Sequence, residues 1–249
     1  RKTLLYGGLE TLARNQNRQR LDLKLFEFGK TYIKNEDGSC GENQQLGIFV
    51  TGRKNPESWN TSDETADIYY LKGMVDKIIS RLGIDKPGIN ATEVRTGHIK
   101  GRAYEILKKH VVKFGEITAP VTKKFDIKNK VYFAVFNWDH VMELLPVNKT
   151  RYSQLPRYPS VRRDLALLLG SGVSYSEIES LARKTEKKLL RKVNIFDVYK
   201  GEKVGKEKKS YAVSFLFQDE AGTLKDEVVD GVMTRLRAVY IKDLGAEIR

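Results

Sequence analysis

The chain has 249 residues, 40% of them hydrophobic, and its 45 Lys and Arg against 32 Asp and Glu leave a formal charge of +13 and a pI near 9.6. That is enough for one large or two ordinary domains with real cores. The excess of cations points to a polyanionic partner, through phosphate contact and counterion release, ahead of a membrane surface, for which no basic amphipathic helix stands out. The single Cys40 excludes an intrachain disulfide and suits a reducing cytoplasm, and no apolar run approaches the ~20 residues of a membrane span.

The opening stretch RKTLLYGGLETLARNQNRQ places Leu4, Leu5, Leu9, Leu12 and Ala13 at helical spacing, weakened by Gly7-Gly8. It carries no signal-peptide pattern, and a start at Arg1 reads as a piece excised from a longer protein. LDLKLFEFGKTYI alternates and predicts a strand, Asp37-Gly38 a hairpin turn, and QQLGIFVTG the returning strand. Thr65 to Leu82 is the clearest helix, with Ile68, Leu71, Val75, Ile78 and Leu82 on one face and Asp63, Glu64 and Asp67 near its positive end. AYEIL, HVVKFGEI and KVYFAVFNW predict further strands, so the first half is a helix-flanked, mainly antiparallel sheet. Trp59 and Trp138 read as packing residues.

LPVNKTRYSQLPRYPS, with Pro146, Pro156 and Pro159, is broken and without period, and is expected to be a linker. RRDLALLLG then predicts a strand and SYSEIESLARKTEKKLL a helix with a capping box, Ser174 preceding Glu177 by three. Its stripe is Ile178, Leu181 and Leu189, with Thr185 between. Two strands follow within VNIFDVYKGEKVGKEKKSYAVSFLFQD. A helix capped by Thr223 with Asp226 in its first turn runs to Gly245, and AEIR ends the chain as a short strand. The order β-α-β-β-α-β is the split βαβ arrangement of ferredoxin-like folds, with both helices on one face of a four-stranded sheet and the other face open.

Strand side chains alternate between faces. Leu165, Leu167 and Leu169, and likewise Tyr211, Val213, Phe215 and Phe217, form the apolar set that faces the helices. Ala166, Ser210, Ala212 and Ser214 are therefore expected on the open face. With Phe196 and Val198 turned to the helices, Val193, Ile195, Asp197 and Tyr199 point outward. Tyr199 is then placed to stack a base, Asp197 to accept hydrogen bonds from a base edge, and Ser210 to do either. Lys200, Lys203, Lys206, Lys208 and Lys209 crowd the joining hairpin, where they either meet phosphates or keep a sheet edge in solution. The aromatic pair on adjacent strands of a common RNA-recognition sheet is missing.

Motifs for self-contained chemistry are absent from the sequence. His98, His110 and His140 are too scattered for a metal-ligand motif, and neither a G-x-S-x-G nor a phosphate loop occurs. Asp63-Glu64 and Asp219-Glu220 read as capping or turn acids. No catalytic or metal-binding residue is assigned.

Several signatures arrive in order: LETLARNQNR, LKLFEFGKTY, KFGEITAPVTKKFDI, YPSVRRDLALLL, IFDVYKG, KKSYAVSFLFQD, TLKDE and GAEIR. Together they closely resemble the C-terminal part of the β subunit of bacterial phenylalanyl-tRNA synthetases, over essentially the whole chain. The resemblance implies an α+β chain in two parts. Residues 1–147 look like the inactive, class II synthetase-like catalytic module, an antiparallel sheet with helices that packs against the catalytic α subunit of an α2β2 enzyme. Residues 148–157 are the linker, and residues 158–249 look like the ferredoxin-fold anticodon-binding domain. No Arg-x-Glu occurs in RNQNRQRLDLKLFEFG, and no Gly-x-Gly-x-x-Arg follows, as suits a module without activity. In the family the second sheet contacts the anticodon of phenylalanine tRNA; the matching positions are Ala166, Asp197, Tyr199 and Ser210. Tyr158 stands where Phe is usual.

By the same resemblance ATP and magnesium belong to the α subunit, no cofactor is bound by this chain, and the family's upstream modules, an editing site among them, lie outside it. The expected setting is cytoplasmic, with no membrane contact; the isolated chain is expected to expose an apolar patch and to be able to self-associate through it. The competing reading is a non-catalytic protein-interaction module with a ferredoxin-like sheet face.

Overall fold

A computed structural model describes residues 1–34, 37–84, 89–145, 155–201, 204–205 and 207–248. The chain divides into two compact units, Arg1–Arg151 and Tyr152–Arg249. Residues 148–154 of the expected linker, and the site of Pro146, lie outside the described residues.

The first unit is a six-stranded, wholly antiparallel sheet with helices on both faces. Its elements are α1 (Leu5–Gln16), β1 (Leu23–Lys34), β2 (Cys40–Thr51), α2 (Ile68–Arg81), β3 (Asn90–Arg95), β4 (Ile99–Ile106), β5 (Lys109–Ile117), α3 (Ala119–Lys123), β6 (Val131–Asn137) and α4 (Trp138–Leu144). The strand order is β1-β2-β6-β5-β4-β3. Alternation along β2 divides the core in two. Leu46, Ile48 and Val50 pack with Leu71, Val75 and Ile79 of α2, while Phe49 packs with Leu5, Leu9 and Leu12 of α1. Gly8 interrupts the helix propensity of α1 because the Phe49 ring lies against its Cα; a Cβ there would stand 2.0 Å from the ring.

The helix expected from Thr65 begins instead at Ile68, because Asp67 caps it: its carboxylate accepts from the Tyr70 amide at 2.7 Å. Asp63 and Glu64 serve the preceding loop, pairing with Arg53 and Lys54. That loop also overturns one expectation. Trp59 is not a packing residue but stands 95% exposed, since ion pairs and backbone bonds hold the loop and leave the indole outside. Trp138 does pack, edge-on to Phe28 at 5.0 Å.

The second unit comprises β7 (Val161–Gly170), α5 (Tyr175–Thr185), β8 (Leu190–Tyr199), β9 (Lys208–Phe217), α6 (Asp226–Leu244) and β10 (Glu247–Ile248). Its antiparallel sheet has the order β10-β7-β9-β8, the ferredoxin-like arrangement expected from the sequence. Leu165, Leu167, Leu169, Tyr211, Val213, Phe215 and Phe217 cover Ile178, Ala182, Val229, Met233 and Leu236 of the two helices. Burying such side chains is worth about 1.5–3 kcal/mol each and sets which face of the sheet is closed.

Polar ties fix the helices on that face. The Tyr175 hydroxyl donates to the Val193 carbonyl at 2.8 Å, and burial pushes its phenol up to about 12. The Tyr240 hydroxyl donates to the Ile178 carbonyl at 3.1 Å. The Ser174–Glu177 capping box starts α5 as expected. Two details differ from the sequence reading. The α5 helix stops at Thr185, because the Glu186 carboxylate turns back to accept from the Lys188 and Leu189 amides and Leu190 enters the sheet. Lys225, not Thr223, occupies the N-cap of α6, without a side-chain hydrogen bond.

Candidate nucleic-acid interface

The open face of the second sheet is built by four rows of side chains, set by strand register. One row is Tyr199, Ser210, Leu168 and Glu247. The next is Asp197, Ala212 and Ala166; then Asn194, Ser214 and Asp164; then Lys192, Leu216 and Arg162. Ala166, Asp197, Tyr199 and Ser210 thus occupy adjacent rows of one face. On this face β9 presents Ser210, Ala212 and Ser214 before Leu216, and with Ala166 of β7 these small side chains make a shallow trough.

The sequence reading of β8 is wrong at three positions, for one reason. Val193 and Ile195 are not outward: they oppose Phe215 and Val213 and pack in the helix-side core. Between Ile195 and Asp197 the register shifts by one residue, a β-bulge with Phe196 as the extra residue. A bulge resets the alternation of everything beyond it. Asp197 and Tyr199 therefore still face outward. Phe196, assigned to the helices, lies on the open face as well, 52% exposed with the Arg162 guanidinium carbon 5.2 Å from its ring centre. Val198 turns to the row of Tyr211.

Tyr199 is 44% exposed. Its ring has a floor: a Cβ on Gly201 would lie 2.5 Å from the Tyr199 oxygen and 2.8 Å from the adjoining ring carbon. Only glycine lets the ring rest there. Asp197 is exposed, and among the described residues its carboxylate has no hydrogen-bond or ion-pair partner. It is an acceptor available to a ligand. At the far corner Arg162 donates to both oxygens of Asp164, at 2.8 and 3.1 Å, with its guanidinium over the Phe196 ring.

The hairpin lysines do not act as one group. Lys209 is 7% exposed; its ammonium donates to the Ser171 carbonyl at 2.8 Å and sits 4.8 Å from the Tyr211 ring centre. Lys208 pairs with Glu247 across the open face. Neither is a free phosphate contact. Lys200 is exposed next to Tyr199, and Lys203 and Lys206 lie outside the described residues. Phe196 and Gly201 are the residues that sequence reasoning missed. A Phe next to Asp in a strand whose outward residues are polar was the available signal for a bulge.

The first unit has a different surface. Phe26 is 74% exposed, and Phe28, Tyr32 and Ile33 of the edge strand β1 are exposed with it. Among the described residues no group of three or more His, Cys, Asp or Glu side chains is placed to hold a metal ion, and no helix is long and apolar enough to cross a membrane. His98 meets the Tyr6 hydroxyl at 2.9 Å, and His110 lies 3.1 Å from Glu105.

Two family models match the chain. That for the phenylalanyl tRNA synthetase beta chain CLM domain covers residues 1–138, and that for the ferredoxin-fold anticodon binding domain covers residues 156–249. Proteins described as phenylalanine–tRNA ligase beta subunits align over the full chain: one from Bacteroides thetaiotaomicron at 42% identity and one from Porphyromonas gingivalis at 40%. The chain spans 32% of the length of each. Among solved structures, a pyrrolysyl-tRNA synthetase from Desulfitobacterium hafniense superposes with a TM-score of 0.45 at 15% identity, over 59% of this chain and 50% of that one.

Proposed function

This chain belongs to the phenylalanyl-tRNA synthetase β-chain family, and we propose that it is the C-terminal part of such a β subunit, with the second unit binding the anticodon of phenylalanine tRNA and the first supporting a catalytic α subunit in aminoacylation. The observation that carries the reading is the trough on the open sheet face. Its floor of Ala166, Ala212 and Ser210 is small enough to admit a flat base. Tyr199 stands at its edge as a stacking ring, and the Asp197 carboxylate stands in the row of Ala166 as an acceptor for base amino or imino hydrogens. The Asp197 carboxylate calls for donors on its ligand, which fits a base edge better than a phosphate.

Phenylalanine, ATP and magnesium then belong to the α subunit. This chain's described side chains form no cluster fit for a divalent cation, and in this reading its own residues orient the partner and the tRNA. The exposed β1 aromatics and the Trp59 indole suit an obligate subunit contact, whose surface resembles a cut core. An α2β2 assembly in the cytoplasm is the setting of the proposal; the lone Cys40 is compatible with it.

Tyr199→Ala tests it. Fluorescence anisotropy with a phenylalanine tRNA anticodon stem-loop is expected to show binding weakened by about 1–3 kcal/mol. Unchanged affinity removes the stacking role. Equal affinity of the unsubstituted chain for a stem-loop of scrambled anticodon would favour a face that binds protein instead.

A further inference from the structure

The bulge in β8 carries a consequence for how many nucleotides the open face holds. It inserts Phe196 beside Asp197 on the same face, next to the floor row of Ala212. The ring is half exposed and so open to a ligand on that face. The Arg162 guanidinium lies over it and is fixed there by two hydrogen bonds to Asp164. Arg162 comes from β7, two strands away from Phe196, so its side chain reaches across β9. The result is a guanidinium, paired with a carboxylate, set over an aromatic ring. Single-stranded RNA bases stack on both kinds of surface, aromatic rings and arginine planes. Lys192, exposed in the row of Arg162, adds a positive charge at that end.

We propose that Phe196 and Arg162 form a second stacking seat, for the unpaired nucleobase next to the one held by Tyr199 and Asp197. The proposal rests on the anticodon reading and extends it from one base to two. Phe196 and Tyr199 lie three residues apart on an extended strand, about 10 Å, so the two seats are separate. A protein ligand would use the same surface without regard to a nucleotide, and the test separates the two.

The experiment uses the full 249-residue chain and phenylalanine tRNA anticodon stem-loops in which each loop nucleotide in turn is replaced by an abasic one. Phe196→Leu and Arg162→Gln are each expected to weaken binding of the intact loop about tenfold, and Phe196→Tyr to retain it. With one particular abasic loop, adjacent to the one that abolishes the Tyr199→Ala effect, Phe196→Leu is expected to cost nothing further. If Phe196→Leu leaves affinity unchanged while Tyr199→Ala lowers it, the second seat is overturned and the anticodon reading stands. If Phe196→Leu costs the same with every abasic loop, the residue acts on the fold or on a protein contact and the seat is likewise overturned. If neither Tyr199→Ala nor Phe196→Leu matters, both fall together.

Discussion

Tyr199 and Gly201 show how far a single residue can be read from its neighbours. Period two from Tyr211 to Phe217 correctly divides β9, because one face is apolar and bulky throughout and the other small up to Leu216. The same rule placed Ala166 and Ser210 on the open face, whereas Asp197 and Tyr199 face outward only because the bulge changes the phase of β8. It failed for Val193, Ile195 and Phe196, since a bulge adds a residue without any required amino acid to announce it. Gly201 was invisible for another reason: its role is to be absent beneath a ring. Gly201→Ala is expected to displace the Tyr199 side chain, lower anticodon stem-loop affinity several-fold, and leave the thermal midpoint within a degree or two of the parent, because the ring is at the surface. Full affinity in a titration of the variant would show that the ring's rest position does not matter to binding.

At the scale of elements, a helix start is legible where a capping box marks it; the starts expected at Thr65 and Thr223 moved to the Asp67 and Lys225 caps. Ser174 and Glu177 form their capping box through local geometry alone. Accepting from the Ser174 amide and then from its hydroxyl holds the Glu177 carboxyl below its ordinary range. Ser174→Ala is expected to destabilise the second unit by about 1 kcal/mol at neutral pH, measured by urea denaturation. A group whose folded pKa is depressed contributes stability that is present above its unfolded value, about 4.3 for Glu, and lost as pH falls through the folded value. The penalty of Ser174→Ala should therefore shrink below about pH 4; a penalty independent of pH would mean that the hydroxyl–carboxylate bond contributes nothing. The end of α5 was misread because Lys187, Lys188 and Leu189 suit a helix. Leu190 instead joins the core opposite Phe217, and that burial overrides propensity.

For the whole molecule the +13 charge is the widest observation, yet the side chains show it unevenly spent. Lys208, Lys209, Arg162 and Arg163 all have partners within the second unit. Fewer phosphate contacts should form than the number of cations suggests. The logarithm of the stem-loop association constant is expected to fall linearly with log salt, with a slope of about −0.7 per phosphate neutralised and only a few phosphates in all. A slope demanding ten or more would mean that the lysine hairpin engages the backbone after all. The sequence by itself determined the two-part α+β organisation, the ferredoxin-like order and the outward Ala166 and Ser210, because hydrophobic period and turn chemistry are local in the chain. Only the tertiary structure decided that Phe196 faces outward under Arg162, that Trp59 is bare, and that Lys209 is internal. Phe196 and Lys209 depend on register or on contacts between segments distant in sequence, and Trp59 on how its loop is tied; a linear pattern does not record where a neighbouring strand slips by one.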